Sequence, residues 1–500
     1  MKILLLAMPD TTSCLDYFAR IPNLALVSLA GNLPGHDVRV LDLATCKNAI
    51  KKKITEILDG LQPRLVGLSA MTFQLDTLLH IARFIRRCYP ETLIAAGGYG
   101  LTLMPEEQAS EKSLPLDFVV RGEGEKTFRL LVEELEKPSP DLEKITGLSY
   151  QRGNEWVHNT PGEPADLGSL SLPKRDARLS KRFSLFGFPI DVAETSRGCR
   201  HNCTFCSITR MYGRSFRTFP TDRIIQDLKA IRALGTKHVF FIDDNITFNP
   251  EHVKDVCEAI LRNNLHDMVF MTQASAVSIV RNPQMLEMMS RAHFRIIIVG
   301  FESMDSKALL SIQKPSDPGV NREAVRLLRN CKMAVIAACM YGYPDDNRDS
   351  VARQFRLFKD LQPDLFYNQF LTPYPGTRIR EELMGQGLIV NGDHFKLYDG
   401  FTCNIKTRHL SCEELFTIVR WQGLKVHLSH PLLMLKSRFL RKAPYTYVKG
   451  MLLACRDQVY NLLLRKQIRM ITGADLRCRK TYTAGELFAT LPALIKGMRQ

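Results

Sequence analysis

The sequence predicts an α/β chain built in series. A doubly wound parallel sheet occupies residues 1–150, a linker residues 151–188, a partial parallel (β/α)6 barrel residues 189–400, and a basic helical region residues 401–500. Three observations carry this. Five hundred residues exceed one small module. Two separate stretches alternate short apolar runs with helix-period segments. After Gly400 the strand signal stops and helical patterns remain.

In the first stretch the apolar runs Lys2–Ala7, His36–Leu43, Arg64–Met71, Thr92–Ala96 and Leu116–Val120 read as strands. Between them, Phe73–Cys88 places Leu75, Leu78, Leu79, Ala82 and Ile85 at helical steps on one face. Such alternation favours a parallel sheet with helices on both faces. Ligands of these sheets bind at the carboxyl ends of the strands. That edge carries Ser69-Ala70-Met71, Gly97-Gly98-Tyr99-Gly100 and Arg121-Gly122-Glu123-Gly124-Glu125. Ile145–Tyr150 and Glu155–Asn159 read as a closing hairpin around Arg152-Gly153-Asn154. Pro161, Gly162, Pro164, Gly168 and Pro173 mark the linker.

The second stretch offers six candidate strands: Asp191–Thr195, His238–Asp243, Met268–Thr272, Arg295–Gly300, Met333–Met340 and Leu365–Thr372. Thr221–Leu234, Glu251–Arg262 and Asn321–Cys331 are among the helices that separate them. Six strand-helix units suit an incomplete parallel barrel, whose chemistry sits at the carboxyl ends of its strands.

Composition excludes a disordered or fibrous chain, being 45% hydrophobic and 24% charged without low-complexity tracts. No apolar run reaches the ~18 residues that span a bilayer. The N-terminal run soon meets Pro9 and Asp10, so it reads as a strand rather than a signal peptide. A cytoplasmic setting is expected, with the 13 Cys reduced or metal-bound. The net charge of +16 is local. Residues 421–500 carry 15 Lys and Arg against 3 Asp and Glu, whereas residues 1–420 carry 53 against 49. That tail points to an anionic partner.

The chemistry concentrates in Ser196-Arg197-Gly198-Cys199-Arg200-His201-Asn202-Cys203-Thr204-Phe205-Cys206. Three thiolates at spacings of three and two residues can wrap one soft-metal centre from a single loop. Three buried core thiols are the bland alternative, disfavoured by the polar, basic surroundings. Zinc is the stronger rival, with His201 as the fourth ligand that a closed tetrahedral site needs. An iron–sulfur cluster fits the barrel context better. Three Cys on a four-iron cluster leave one iron without a protein ligand. S-adenosylmethionine (SAM) chelating that iron can be split by one electron to give a carbon radical.

This loop resembles the radical SAM superfamily, whose signature is Cys-x3-Cys-x2-Cys with an aromatic, here Phe205, before the last Cys. The likeness continues through Phe241-Ile242-Asp243-Asp244-Asn245, Gln273-Ala274-Ser275, Gly300-Phe301-Glu302-Ser303, Tyr341-Gly342-Tyr343-Pro344 and Thr372-Pro373-Tyr374-Pro375-Gly376-Thr377. The N-terminal sheet is similar to the cobalamin-binding domain of one large subclass, which includes hopanoid methylases and the anaerobic porphyrin-ring cyclase. Together the likeness spans roughly residues 1–400.

The resemblance implies a [4Fe-4S] cluster on Cys199, Cys203 and Cys206, which are both metal ligands and catalytic centre. It implies SAM positioned by Phe205, Asp243, Asp244, Gln273, Ser275 and Glu302, and cobalamin contacted by Ser69, Gly97, Gly98, Gly122 and Glu123. The Asp-x-His-x-x-Gly motif of cobalamin domains that replace the cofactor's lower axial ligand is missing, as is common in this subclass. The loop after the first strand reads Met8-Pro9-Asp10-Thr11-Thr12-Ser13-Cys14, and His36 lies at the other edge. No histidine is therefore expected below the cobalt.

The expected function is methyl transfer to an unactivated carbon of an apolar or lipid-like substrate. Ring closure or carbon–carbon coupling is the enzymatic alternative, and a non-catalytic iron–sulfur or cobalamin sensor the alternative of another class. An external electron donor such as flavodoxin or ferredoxin is implied. In the tail, Leu432–Lys442 and Lys449–Ile471 interleave aliphatic and basic residues, as in an interfacial helix on anionic lipid. A helical cap on the barrel is equally compatible with them. Trp421, Tyr445, Tyr447 and Tyr460 do not follow the pattern of a nucleic-acid module, and nucleic acid is not expected as a partner.

Overall fold

The computed structural model describes residues 1–11, 19–104, 114–153, 155–181, 183–185 and 187–428. The expected basic helices beyond Leu428, and Thr12, Ser13, Cys14 and Asn154, lie outside the described residues.

The chain opens with β1 (Lys2–Ala7), a short β2 (Ala19–Arg20), β3 (Asp37–Asp42), β4 (Leu65–Ser69), β5 (Leu93–Gly97), β6 (Phe118–Val120), β7 (Leu148–Arg152) and β8 (Glu155–His158). All but β2 form one sheet in the order β3-β1-β4-β5-β6-β7-β8. The first five of these run parallel, and the β7–β8 hairpin extends the sheet antiparallel to β6. Ile3 to Leu6 are buried throughout. Ile3 and Leu5 face one helical layer while Leu4 and Leu6 face the other, which explains the unbroken apolar run. The strand order reverses at β1, between β3 and β4. That reversal opens a crevice at the carboxyl ends of β1 and β4.

The second sheet contains β9 (Ser184–Leu185), β10 (Phe188–Ala193), β13 (His238–Phe241), β14 (Val269–Ser275), β15 (Phe294–Glu302), β16 (Ala334–Tyr341) and β17 (Leu365–Phe370). Between β10 and β13, a two-residue ribbon pairs β11 (Ser196–Arg197) with β12 (Arg217–Thr218). β10 and β13 to β17 are parallel neighbours, the six expected strands in sequence order. β9 and then β2 add antiparallel at the β10 edge, so a piece of the first stretch completes an eight-stranded half-barrel.

Neighbours in register share a face of this sheet. Val239, Phe241, Phe270, Phe294, Val299 and Val335 turn outward against helices such as Thr221–Ala233 and Pro250–Arg262. Phe241 stacks on Phe270 with ring centroids 5.3 Å apart. The opposite face reads Gln273, Ile298, Ile336 and Leu365 in one row, and Ser275, Gly300, Ala338 and Tyr367 in the next. Apart from buried Ser275, these side chains stay partly exposed, so the concave interior is not filled by the core.

The linker packs along both sheets. Lys174 N donates to Val27 O (2.8 Å), and Leu179 N to Val40 O (2.8 Å). Leu167 and Leu170 join the barrel core. Buried Arg178 pairs with Asp191 (2.8 Å), and buried Arg175 pairs with Asp227 and donates to Val192 O (2.6 Å). Removing one member of a buried pair leaves its partner's charge uncompensated. Arg175→Ala should therefore lower unfolding free energy by about 3–5 kcal/mol, read from the denaturant midpoint at unchanged m.

Candidate active site between the two sheets

A cavity of about 360 Å³ lies where the carboxyl ends of strands from both sheets meet. One wall comes from the turns after β4, β5 and β6, and includes Ser69, Gly97, Gly98, Tyr99, Gly122 and Glu123. Ala70 N donates to Gly97 O (3.0 Å) and Gly100 N to Ala70 O (2.9 Å), which locks two of these turns together. Gly98 has φ +97°, and a Cβ there would stand 2.7 Å from Ala70 O. Only glycine fits, and its backbone can approach a ligand closely. Gly122, also at positive φ, donates its N–H to Thr102 Oγ1 (3.0 Å), and a Cβ there would meet nothing within 4 Å. The lining also includes the apolar residues Leu5, Leu24, Gly67, Ala95 and Phe128.

The opposite wall belongs to the barrel: Glu194, Ser196, Arg197, Met211, Tyr212, Ile242 and Asp244. The β11–β12 ribbon closes the cysteine loop at its base. Gly198, at φ +90°, would place a Cβ 2.4 Å from Ser215 O, and its N–H donates to Asp244 Oδ2 (2.9 Å). Thr204 N donates to Ile312 O (3.0 Å) and Ile379 N to Thr204 O (3.1 Å), so the loop is pinned to two further segments. Phe205 packs on the barrel core.

Cys199, Cys203 and Cys206 are free, partly buried thiols. Burial pushes Cys203 up to about 11 and Cys206 up to about 12. It raises Cys199 as well, while the Lys314 ammonium opposes the rise at Cys199 and Cys203. Thiolates here therefore need a metal centre to hold them deprotonated. Among the described residues no three His, Cys, Asp or Glu converge to hold a single ion. His201 instead sets its ring edge-on to Phe248 (5.5 Å), with Nε2 buried and unbonded, so the four-ligand zinc arrangement is not formed. A cuboidal cluster, whose ligands each bind a separate iron, does not need its thiols to converge on one ion.

The remaining expected residues divide. Asp243 is 1% exposed. Its carboxylate accepts from Thr195 Oγ1 (2.6 Å), Ser196 Oγ (2.6 Å) and Thr195 N (3.1 Å), tying β10 to β13. Asp244 faces the cavity, and burial raises it to about 7. Gln273 Nε2 donates to Asp243 O (3.4 Å), and Ser275 N to Thr247 Oγ1 (3.1 Å). Glu302 sits at a bulge with φ +61° and accepts from Lys314 Nζ (2.9 Å). A side chain on Gly300 would meet both partners within 3 Å. Strained backbone of this kind collects at functional sites. Lys314, Arg197, Glu194, Tyr99 and Tyr212 are not among the expected residues. Arg197 had a sequence signal in its place beside the motif, and Lys314 had none.

Comparison with known proteins agrees with this geometry. Residues 193–358 match the radical SAM superfamily model, and residues 15–132 match the B12 binding domain model. The chain carries a radical SAM domain and a B12 binding domain. It is an enzyme of the subclass that carries a cobalamin-binding domain, and its cofactors are a [4Fe-4S] cluster, SAM and cobalamin. A Pyrococcus horikoshii protein named an uncharacterized methyltransferase is 29% identical over 447 residues, covering 88% of this chain and 95% of that one. The hopanoid C-3 methylase of Methylococcus capsulatus is 28% identical over 367 residues, covering 72% and 68%. The fold matches the radical SAM methyltransferase TsrM of Kitasatospora setae, solved with cobalamin and a [4Fe-4S] cluster. The TM-score is 0.66 at 19% identity, over 77% of this chain and 78% of that one.

Two outcomes follow for this radical SAM protein. Cys206→Ala should lose most of its iron, sulfide and visible absorbance after anaerobic reconstitution. Gly98→Ala should keep its iron but bind corrinoid at least about tenfold more weakly, by absorbance titration, because a clash costing ~1.4 kcal/mol already gives that factor.

Proposed function

We propose that the chain methylates an unactivated carbon of an apolar substrate, using cobalamin as methyl carrier. One observation carries the reading. Ser69, Gly97, Gly98, Gly122 and Glu123 line the same cavity as Ser196, Arg197, Tyr212 and Asp244, which adjoin the cysteine loop. A radical centre and a methyl donor thus have one space to share. When bound, the cluster and SAM supply a radical that removes a hydrogen atom from a C–H bond, and methylcobalamin supplies the methyl group.

The chain's own residues do the holding. Cys199, Cys203 and Cys206 would ligate the cluster, and Phe205 backs the last of them. Asp244, Gln273, Ser275 and the Glu302–Lys314 pair are placed at the strand ends to bind the polar parts of SAM. Asp243 acts one step back, by fixing Thr195 and Ser196. Gly97, Gly98 and Gly122 would let the corrin lie against backbone, with Ser69 and Glu123 as polar contacts. The partly exposed interior side chains of Ile298, Ile336, Leu365 and Ala338, from two adjacent rows, support an apolar substrate. The names of the two relatives, a methyltransferase and a methylase, support methyl transfer.

The test is anaerobic turnover of reconstituted protein with dithionite and SAM bearing a deuterated methyl group. Deoxyadenosine together with a labelled product is expected. Deoxyadenosine with an unlabelled, ring-closed or coupled product would replace methylation by that chemistry. Intact cluster without deoxyadenosine would favour the sensor. A one-electron donor such as flavodoxin or ferredoxin belongs to this proposal, with dithionite standing in for it.

The basic tail is proposed to rest on anionic lipid. Among the described residues no helix is long and apolar enough to cross a membrane. The helix Cys412–Leu428 buries Leu415, Phe416 and Val419, so a truncation should begin after Leu428. Removing residues 429–500 should abolish co-sedimentation with phosphatidylserine vesicles. Equal pelleting of the truncated and whole chains would overturn the membrane reading.

A further inference from the structure

Arg197 precedes Gly198 and stands two residues before Cys199, yet its side chain bonds mainly outside the barrel's own strands. Nη1 donates to Glu123 Oε2 (2.9 Å) and Glu125 Oε2 (3.3 Å), and Nη2 to Glu125 Oε1 (2.7 Å). Nε and Nη2 also donate to Glu194, at 2.7 and 3.0 Å. Glu123 ends the turn after β6 and Glu125 lies in the first turn of the helix Gly124–Leu135 that follows, and both line the cavity. Arg217, opposite Arg197 in the ribbon, donates to Glu123 too and to Ala165 O (2.7 Å). Ser28 Oγ donates to Glu125 Oε1 (2.8 Å). The side chains of Arg197, Glu123 and Glu125 are each less than a tenth exposed.

A second contact holds the far end of the loop. Tyr212 ends the short helix Ile208–Tyr212 that follows Cys206. It meets Tyr99, next to Gly98 in the turn after β5, edge to face at 6.2 Å. The cysteine loop is therefore gripped at both ends by the turns that form the other wall of the cavity.

We propose that Arg197, Glu123 and Glu125 are positioning residues that couple occupancy of the cobalamin cavity to the geometry of the cluster loop, so that bound corrin tightens SAM binding at the cluster. This rests on the reading of the cavity as the corrin site. A corrin seated against the turn after β6 restrains Gly122 to Glu125. Buried charge pairs have few alternative arrangements, because each carboxylate that leaves the guanidinium is left uncompensated. Restraint of the turn thus becomes restraint of the residue two before Cys199. The chemistry gains by it, since a radical formed without a seated methyl carrier has no partner.

The test uses the full-length, cluster-reconstituted protein with hydroxocobalamin as probe. SAM dissociation constants are measured with and without it by anaerobic equilibrium dialysis, alongside the paramagnetic resonance spectrum of the reduced cluster. Wild type should bind SAM at least about fivefold more tightly with corrin, the low end of ordinary coupling energies, and its cluster spectrum should shift. In Glu125→Gln the ratio should fall below twofold and the spectral shift should vanish. Arg217→Gln, on the more exposed outer arm, should lower the ratio partly and serves if the first variant does not fold. Because coupling is a ratio, a general loss of SAM affinity would not imitate it. Wild-type coupling that persists in both variants, or corrin binding without coupling, overturns the proposal. Failure of wild type to bind hydroxocobalamin at all overturns the cavity reading, and the coupling with it.

Discussion

A guanidinium withdrawn from water and surrounded by three carboxylates holds the two halves of this molecule in register. Burial alone would strip Arg197 of its proton more easily, but Glu194 and Glu125 hold its affinity for that proton well above the usual value. Burial would likewise raise Glu125, and Arg197 and Ser28 more than offset it. Each charge is tolerable only because the others are present. The arrangement adds little net stability over an apolar contact, yet it penalises any other relative placement of the two sheets.

From that constraint the rest of the site follows. Once the turn after β6 faces the β11–β12 ribbon, the carboxyl ends of two parallel sheets share one cavity. Each sheet alone would present a ligand-binding edge to solvent. Together they place a glycine-lined wall opposite a thiol-bearing loop. The glycines at 98 and 198 let each wall pack tightly on itself, because a Cβ at either would collide with a backbone oxygen of its own wall. The partly buried Glu302–Lys314 pair then sets a fixed dipole on the barrel side, at a backbone position that glutamate rarely adopts.

Much of this was legible from residues alone. The runs Lys2–Ala7 and His238–Asp243 announced strands because both faces, or one face and its stack, are apolar over their length. The glycine-bearing turns after β4, β5 and β6 could be placed at one edge because parallel strands all end on the same side. Asp243 and Asp244 look alike as neighbours in sequence, but the turn that follows β13 sends them apart. One is consumed by Thr195 and Ser196, and the other opens on the cavity. The Pro and Gly of the linker suggested a simple connector, while its Arg175 and Arg178 side chains anchor it to the barrel and its Lys174 and Leu179 N–H groups to the first domain.

The order of residues by itself determined the two parallel sheets and the cysteine loop, because periodicity and ligand spacing are local properties of a chain. Which distant groups meet was decided only in three dimensions. Arg197 and Glu125 lie 72 positions apart, as do no recognisable pair in a pattern, and Lys314 reaches Glu302 only through a bulge in β15. Long-range charge pairing depends on how whole sheets dock, and no short stretch of sequence encodes that.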